Sequence, residues 1–328
     1  MFGKRKDAAS LSEEEIKTIT GLIWCLKPSD LSTLVAAQKI DNKDTFNFGT
    51  SRGCSHGIFW SKLVSLGLAE EKPSGIDLSA DYLKDAKPEY VQGLKNLTAF
   101  SPTPQGKEIL FKLLGPALKT GWPPKGAIIS PAAIQMLQKY AEEGTAQSQS
   151  KLAYLYDRGM GVEMNVESAL KWYHAAAKQD DPTALNNLGL MYLARKGVQN
   201  DPNEALRYFK LAAEKGSSGA MDNLGEMYGK GIGVPRDLAE AFKWFLMAAE
   251  YGHGLAKCKV GDFYRNGLGG TPQNNAQAYI WYSLGIAAGA SAQGPRDAVA
   301  SKLTPEQIKE ASVFVSNWKP KSISHTIH

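Results

Sequence analysis

The chain has 328 residues, 43% hydrophobic and 22% charged, with a formal net charge of +5. That length leaves room for two domains, and so small a charge does not single out nucleic acid as a partner. No stretch approaches the ~18 apolar residues of a membrane span, the basic start MFGKRKDAASLSEEE lacks the apolar core of a signal peptide, and Cys25, Cys54 and Cys258 fit a reducing cytoplasm better than a disulfide framework.

Ser12 with Glu15 has the form of a capping box and predicts a helix through about Leu26. Ser29-Asp30 opens a second helix over LSTLVAAQKI, and a third runs through about 54–66. SLGLAEE follows, then a long polar stretch, then LTAFSPTPQGKEILFKLLG. The pairing of HGIFWSKLVSLGLAEE (56–71) with AFSPTPQGKEILFKLL (99–114) resembles the winged-helix fold. A helix passes through the Gly67-Leu68 turn into a strand, and a returning strand ends at the helix start Thr103-Pro104-Gln105-Gly106. The resemblance implies a small α+β domain over residues 1–125, although the connection at 72–97 is longer than a typical wing. DNA binding does not follow from the fold. A groove-reading helix needs several cations, and this one offers Arg52, His56 and Lys62.

From residue 131 onward the chain repeats itself. Leu152, Leu188, Leu224 and Val260 fall 36 residues apart, and so do Tyr156, Tyr192, Tyr228 and Tyr264. A period of this size marks a stacked supersecondary unit. In residues 182–216, Ala184, Leu188 and Tyr192 form one helical stripe, and Ala205, Tyr208, Phe209, Ala212 and Ala213 form another. Gly197-Val198 turns the chain between them, and Asp201, Pro202 and Glu204 read as N-cap, first-turn proline and N3 carboxylate, a cap that Asp237 and Glu240 repeat. Gly216, Gly252 and Gly289 close the second helices. Residues 131–144 align with a second helix alone and read as a capping half-unit. At the other end, LTPEQIKEASVFVSNW (303–318) reads as a capping helix, with a Thr304-Gln307 capping box and a stripe of Ile308, Ala311, Val315 and Trp318. A lone hairpin buries too little to offset its ordering entropy, so the units must stack.

The pattern A-x-x-x-L-G-x-x-Y-x-x-G-x-G-V followed by D-x-x-x-A-x-x-W-Y-x-x-A-A-x-x-G resembles the Sel-one-like repeat, a relative of the tetratricopeptide repeat. It stands most fully as SGAMDNLGEMYGKGIGVPRDLAEAFKWFLMAAEYG (218–252). Ala153 departs from it in the first unit, Arg195 in the second, and Gly285-Ile286 in the fourth. The expected architecture is mainly α: an α-α solenoid of about four helical hairpins over 131–294, preceded by the winged-helix-like domain. A capping helix over 295–318 and a flexible tail over 319–328 complete it. The resemblance implies a bacterial adaptor or scaffold that binds rather than catalyses.

The side chains agree with that. GKGIGV (229–234) looks like a phosphate-cradling loop, but related glycines recur at Gly159/Gly161 and Gly267/Gly269 as inter-helix turns, and no strand precedes it. No zinc-ligand spacing, nucleophile elbow or convergent carboxylate pair occurs, so no catalytic residue, metal or cofactor is expected. In tetratricopeptide-like stacks the first helices line a concave face. Its exposed positions would be Ser150, Tyr154, Asp157 and Arg158 in the first unit, and Asn186, Leu190 and Leu193 in the second. The third supplies Asp222, Glu226 and Lys230, the fourth Cys258, Asp262, Arg265 and Asn266. Mixed charge with an apolar patch in the second unit suits a protein or peptide partner with one hydrophobic anchor, and neither a membrane nor a small-molecule substrate. The alternative is a transcription regulator holding nucleic acid through its N-terminal domain, with the repeats as sensor.

Overall fold

The computed structural model describes residues 12–26, 48–50, 63, 69–73, 98–102 and 128–321. The chain is mainly helical and divides into two compact units, Met1–Ala176 and Ala177–His328.

In the first unit, helix α1 (Glu13–Cys25) opens with the expected capping box: Ser12 Oγ accepts from the Glu15 amide and Glu15 Oε2 accepts from the Ser12 amide. Its apolar face buries Ile19, Leu22 and Ile23 against Met136, Leu137 and Tyr140 of α2 (Pro131–Glu142) and Leu152 and Leu155 of α3 (Ala146–Arg158). Helix α1 thus shares its core with the half-unit and the first repeat helix. Lys151 of α3 lies buried in that core and donates to the carbonyls of Trp24 and Leu26, satisfying oxygens that the end of α1 leaves open. Three short strands, β1 (Phe48–Thr50), β2 (Ala69–Pro73) and β3 (Thr98–Pro102), form an antiparallel sheet of order β1-β3-β2, with Ala69 opposite Pro102 and Phe48 opposite Phe100. Leu63 is buried. The other helices expected within 27–125, and with them Arg52, His56 and Lys62, lie outside the described residues. Helix α4 (Val166–Ala177) completes the first hairpin.

The second unit contains three hairpins and an end cap. Its helices are α5 (Pro182–Ala194), α6 (Pro202–Glu214), α7 (Ser218–Lys230), α8 (Leu238–Glu250), α9 (Gly254–Asn266) and α10 (Asn275–Ala287), then α11 (Gln293–Ala300) and α12 (Pro305–Asn317). The caps are those the sequence spells: Asp201 Oδ1 accepts from the amides of Asn203 and Glu204, and Asp237 Oδ1 from those of Ala239 and Glu240. Within each hairpin a glycine of the first helix meets an aromatic ring of the second. A Cβ built on Gly189, Gly225 or Gly261 would stand 2.6, 2.5 or 2.8 Å from Phe209, Phe245 or Tyr282. Absence of a side chain there is what lets the paired helices close on the ring. The fourth repeat departs from the pattern in a compensated way, since a Cβ on Gly285 would meet Cys258 Sγ at 2.6 Å. Gly285 thus makes room for the larger Cys258.

The end cap forms as its residues dictate. Thr304 and Gln307 make a reciprocal capping box, Ala311 is buried, and Ile308, Val315 and Trp318 are half-buried. Trp318 lies 4.2 Å from Lys257 Nζ in a cation–π contact, and the Lys321 amide donates to the Glu250 carbonyl at 2.8 Å. The chain expected to be a flexible tail is therefore tied down at least to Lys321, by a backbone hydrogen bond and an ion pair with Glu250.

Candidate functional site: the first-helix row of the second unit

Helices α5, α7 and α9 are bonded side by side through polar groups 37 residues apart. Asn223 Nδ2 donates to Asn186 Oδ1 at 2.9 Å, and one repeat later Lys259 Nζ donates to both oxygens of Asp222 at 2.8 and 3.0 Å. The spacing is one repeat plus one residue, which is how far the chain must advance for a side chain to reach back to its neighbour's helix.

This ladder corrects part of the sequence expectation. Asn186 and Asp222 are buried rather than exposed, because the position two before the packing leucine faces the adjacent first helix and its head group is taken there. Asp157, in the first unit, is also buried, while Arg158 beside it is exposed and lies over the Tyr154 ring at 5.8 Å. Ser150 is buried as well. Leu190 is exposed and Leu193 half-buried.

The remaining expected positions converge at the junction of the third and fourth repeats. Glu226 accepts from Lys230 on its own helix and from Lys259 across the junction at 2.6 Å. Burial pushes the Glu226 carboxyl up, but the hydrogen bonds from Lys230 and Lys259 outweigh it and hold it below the ordinary carboxylate range. Asp262 accepts from the Tyr282 hydroxyl at 2.7 Å and lies 3.9 Å from Arg265, and Asn266 donates to the Asp262 carbonyl. Burial and that bond to Asp262 raise the Tyr282 phenol well above its usual value.

Between α7, α8 and α9 these groups surround a cleft of about 240 Å³. Leu238, Phe245, Phe263 and Leu268 supply its apolar walls, Gly225 lets the Phe245 ring close on α7, and Gly229 leaves space where a side chain would stand. Glu226, Lys230, Lys259 and Asp262 supply its charge. The sequence reading placed its apolar anchor on Leu190 and Leu193 of the second repeat and missed this cleft. It also missed Lys259, whose signal is the step of 37 from Asp222 rather than the period of 36.

Such a site can hold a side chain, and its groups are spent on one another. Its carboxylates are already ion-paired or hydrogen-bonded. Among the described residues no group of three or more His, Cys, Asp or Glu side chains could hold a metal ion. Cys25 is buried and its thiol is pushed up to about 12, which makes it unreactive at neutral pH. The glycine loop at 229–234 is a helix stop: Gly231 takes a left-handed conformation (φ 72°, ψ 41°) and donates to the Met227 carbonyl. No helix among the described residues is long and apolar enough to cross a membrane.

Comparison with known proteins matches this architecture. The Sel1 repeat family model fits residues 146–181, 182–217, 218–253 and 254–289. The chitin synthase regulator SKT5 of Saccharomyces cerevisiae is 39% identical over 56 residues, 17% of this chain and 8% of that protein. Among solved structures, c5321, a protective antigen present in uropathogenic Escherichia coli strains and displaying an SLR fold, is 25% identical. The match covers 84% of this chain and 62% of that one, with a TM-score of 0.50. A Sel1 repeat protein from Oxalobacter formigenes is 26% identical, over 56% of this chain and 78% of that one, with a TM-score of 0.47. The match thus spans less than two thirds of the length of both the yeast protein and c5321. Residues 146–289 of this chain are thus similar to four consecutive copies of the Sel1 repeat.

Proposed function

We propose that this protein is a non-enzymatic adaptor that seats a partner protein or peptide along the first-helix row of its repeats. Sel1 repeat proteins are typically interaction scaffolds, and the yeast relative is named as a regulator of an enzyme. The observation that carries the reading is the cleft at the third and fourth repeats. Its roughly 240 Å³ falls below the ~300–1,000 Å³ of small-molecule sites and suits one apolar side chain of a partner. The free cysteines Cys25 and Cys258 support action in a reducing cytoplasm. Affinity capture with the full chain tests the reading. A Leu190→Ala, Glu226→Lys, Asp262→Lys variant should lose the captured partner while keeping its helical circular dichroism. A Gly229→Met variant should lose it too, since a Cβ at Gly229 meets only Ala241 Cβ, at 3.6 Å, and the longer side chain fills the cleft. Unchanged capture by both variants would reject the row as the binding surface.

One observation favours the fold on which a second reading rests, that of a transcription regulator with nucleic acid at its N-terminal domain. The antiparallel pair β2–β3 joins the two segments that the winged-helix resemblance pairs, and β3 lies between β1 and β2. Under the adaptor reading the protein shows no salt-dependent retention on duplex DNA. Retention that disappears in an Arg52→Ala, Lys62→Ala variant would favour the regulator instead.

A further inference from the structure

His253 stands where the third and fourth repeats meet, as both a helix cap and the neighbour of a carboxylate. Its Nδ1 accepts from the Ala256 amide at 3.3 Å, at the open end of α9. An imidazole nitrogen accepts only while it carries no proton. The corresponding caps of α5 and α7 are Asp181 and Ser217, oxygens that remain acceptors through the physiological range. Only the cap of α9 titrates near neutrality.

The same nitrogen lies 3.8 Å from Asp222 Oδ1 on α7. Asp222 is the acceptor for Lys259, and Lys259 also holds Glu226 at the cleft. Facing His253 are therefore Asp222 across the junction and Lys257 and Lys259 on its own helix. Glu250, at the end of α8 before it, is paired with Lys321 of the C-terminal segment.

We propose that His253 is a proton-operated latch on this junction: protonation uncaps α9, turns the imidazolium to Asp222, and loosens the Lys259 bridge that ties α9 to Asp222 and Glu226. For its effect on binding the latch rests on the adaptor reading; for its mechanics it does not. Burial lowers the His253 pKa, Asp222 partly restores it, and Lys259 and Lys257 lower it further, for a net value below 6.5. In the window between that lowered value and 6.5 the unfolded chain binds more protons than the folded one. Stability therefore rises with pH there and is lost as pH falls below 6.5.

Amide hydrogen exchange of the full chain at pH 7.5 and at a pH below the midpoint of the His253 ring titration, corrected for intrinsic rates, tests the latch. The first turn of α9, at Ala256, should lose protection roughly fivefold at the lower pH, the scale of a lost cap. His253→Ser and His253→Asn, whose caps do not titrate, should show no such loss. The His253 ring resonance should titrate below pH 6.5. Equal acid loss in the variants, or none in the wild type, overturns the proposal. Acid loss in the wild type alone, with partner retention the same at both pH values, upholds the latch and counts against the row as the binding surface.

Discussion

At Gly225 the helix pair α7–α8 has no room for even one carbon, since a Cβ would lie 2.5 Å from the Phe245 ring. Gly225→Ala should cost about 1–3 kcal/mol in urea unfolding, although alanine is the better helix former, because the ring is buried and its displacement strains the hairpin. A stabilising Gly225→Ala would refute this account of the glycine. Arg195 presents the opposite case. It ends α5 in the left-handed conformation (φ 53°) that Gly231 and Gly267 adopt in later repeats. Arg195→Gly should therefore stabilise the protein by about 0.5–1 kcal/mol, the left-handed strain relieved less the added unfolded-state entropy. Both sites were visible in the sequence as a spacing that recurs between repeats or as an exception to it. What each glycine touches was not, because the ring lies some 20 residues away on the partner helix.

At the scale of the element, the capping residues carry the boundaries. Asp237 Oδ1 accepts two amides of α8 at 2.9 Å each, so Asp237→Ala should cost about 1 kcal/mol, read as a lower thermal midpoint. An unchanged midpoint would mean that the helix start is held by packing alone. Helix boundaries in the repeats were legible because cap, stripe and closing glycine all agree within each unit. The relation between first helices was less legible. A period of 36 suggests that equivalent residues meet, yet the bonds run from Asn223 to Asn186 and from Lys259 to Asp222. That single-residue offset turned two expected groove residues into buried junction residues. The packing of α1 onto α2 and α3 was hidden for a related reason: an apolar stripe announces that it will be buried, but not against which element.

For the whole molecule, each compact unit has its own chemistry. The first joins α1 to the start of the repeats around a core that includes Trp24 and Tyr140. The second closes its last hairpin with α11, whose N-cap Ala292 and whose Val299 pack with Ala278 and Tyr282. The account's central claim is that the first helices, not the second, meet the partner. Site-specific photo-crosslinking tests it directly, with a benzophenone side chain placed at Leu190 or Lys230 on the first-helix row, or at the exposed Lys210 or Lys243 on second helices. Adducts to a partner protein from Leu190 and Lys230 alone are the predicted result, and adducts arising equally or only from Lys210 and Lys243 would contradict it.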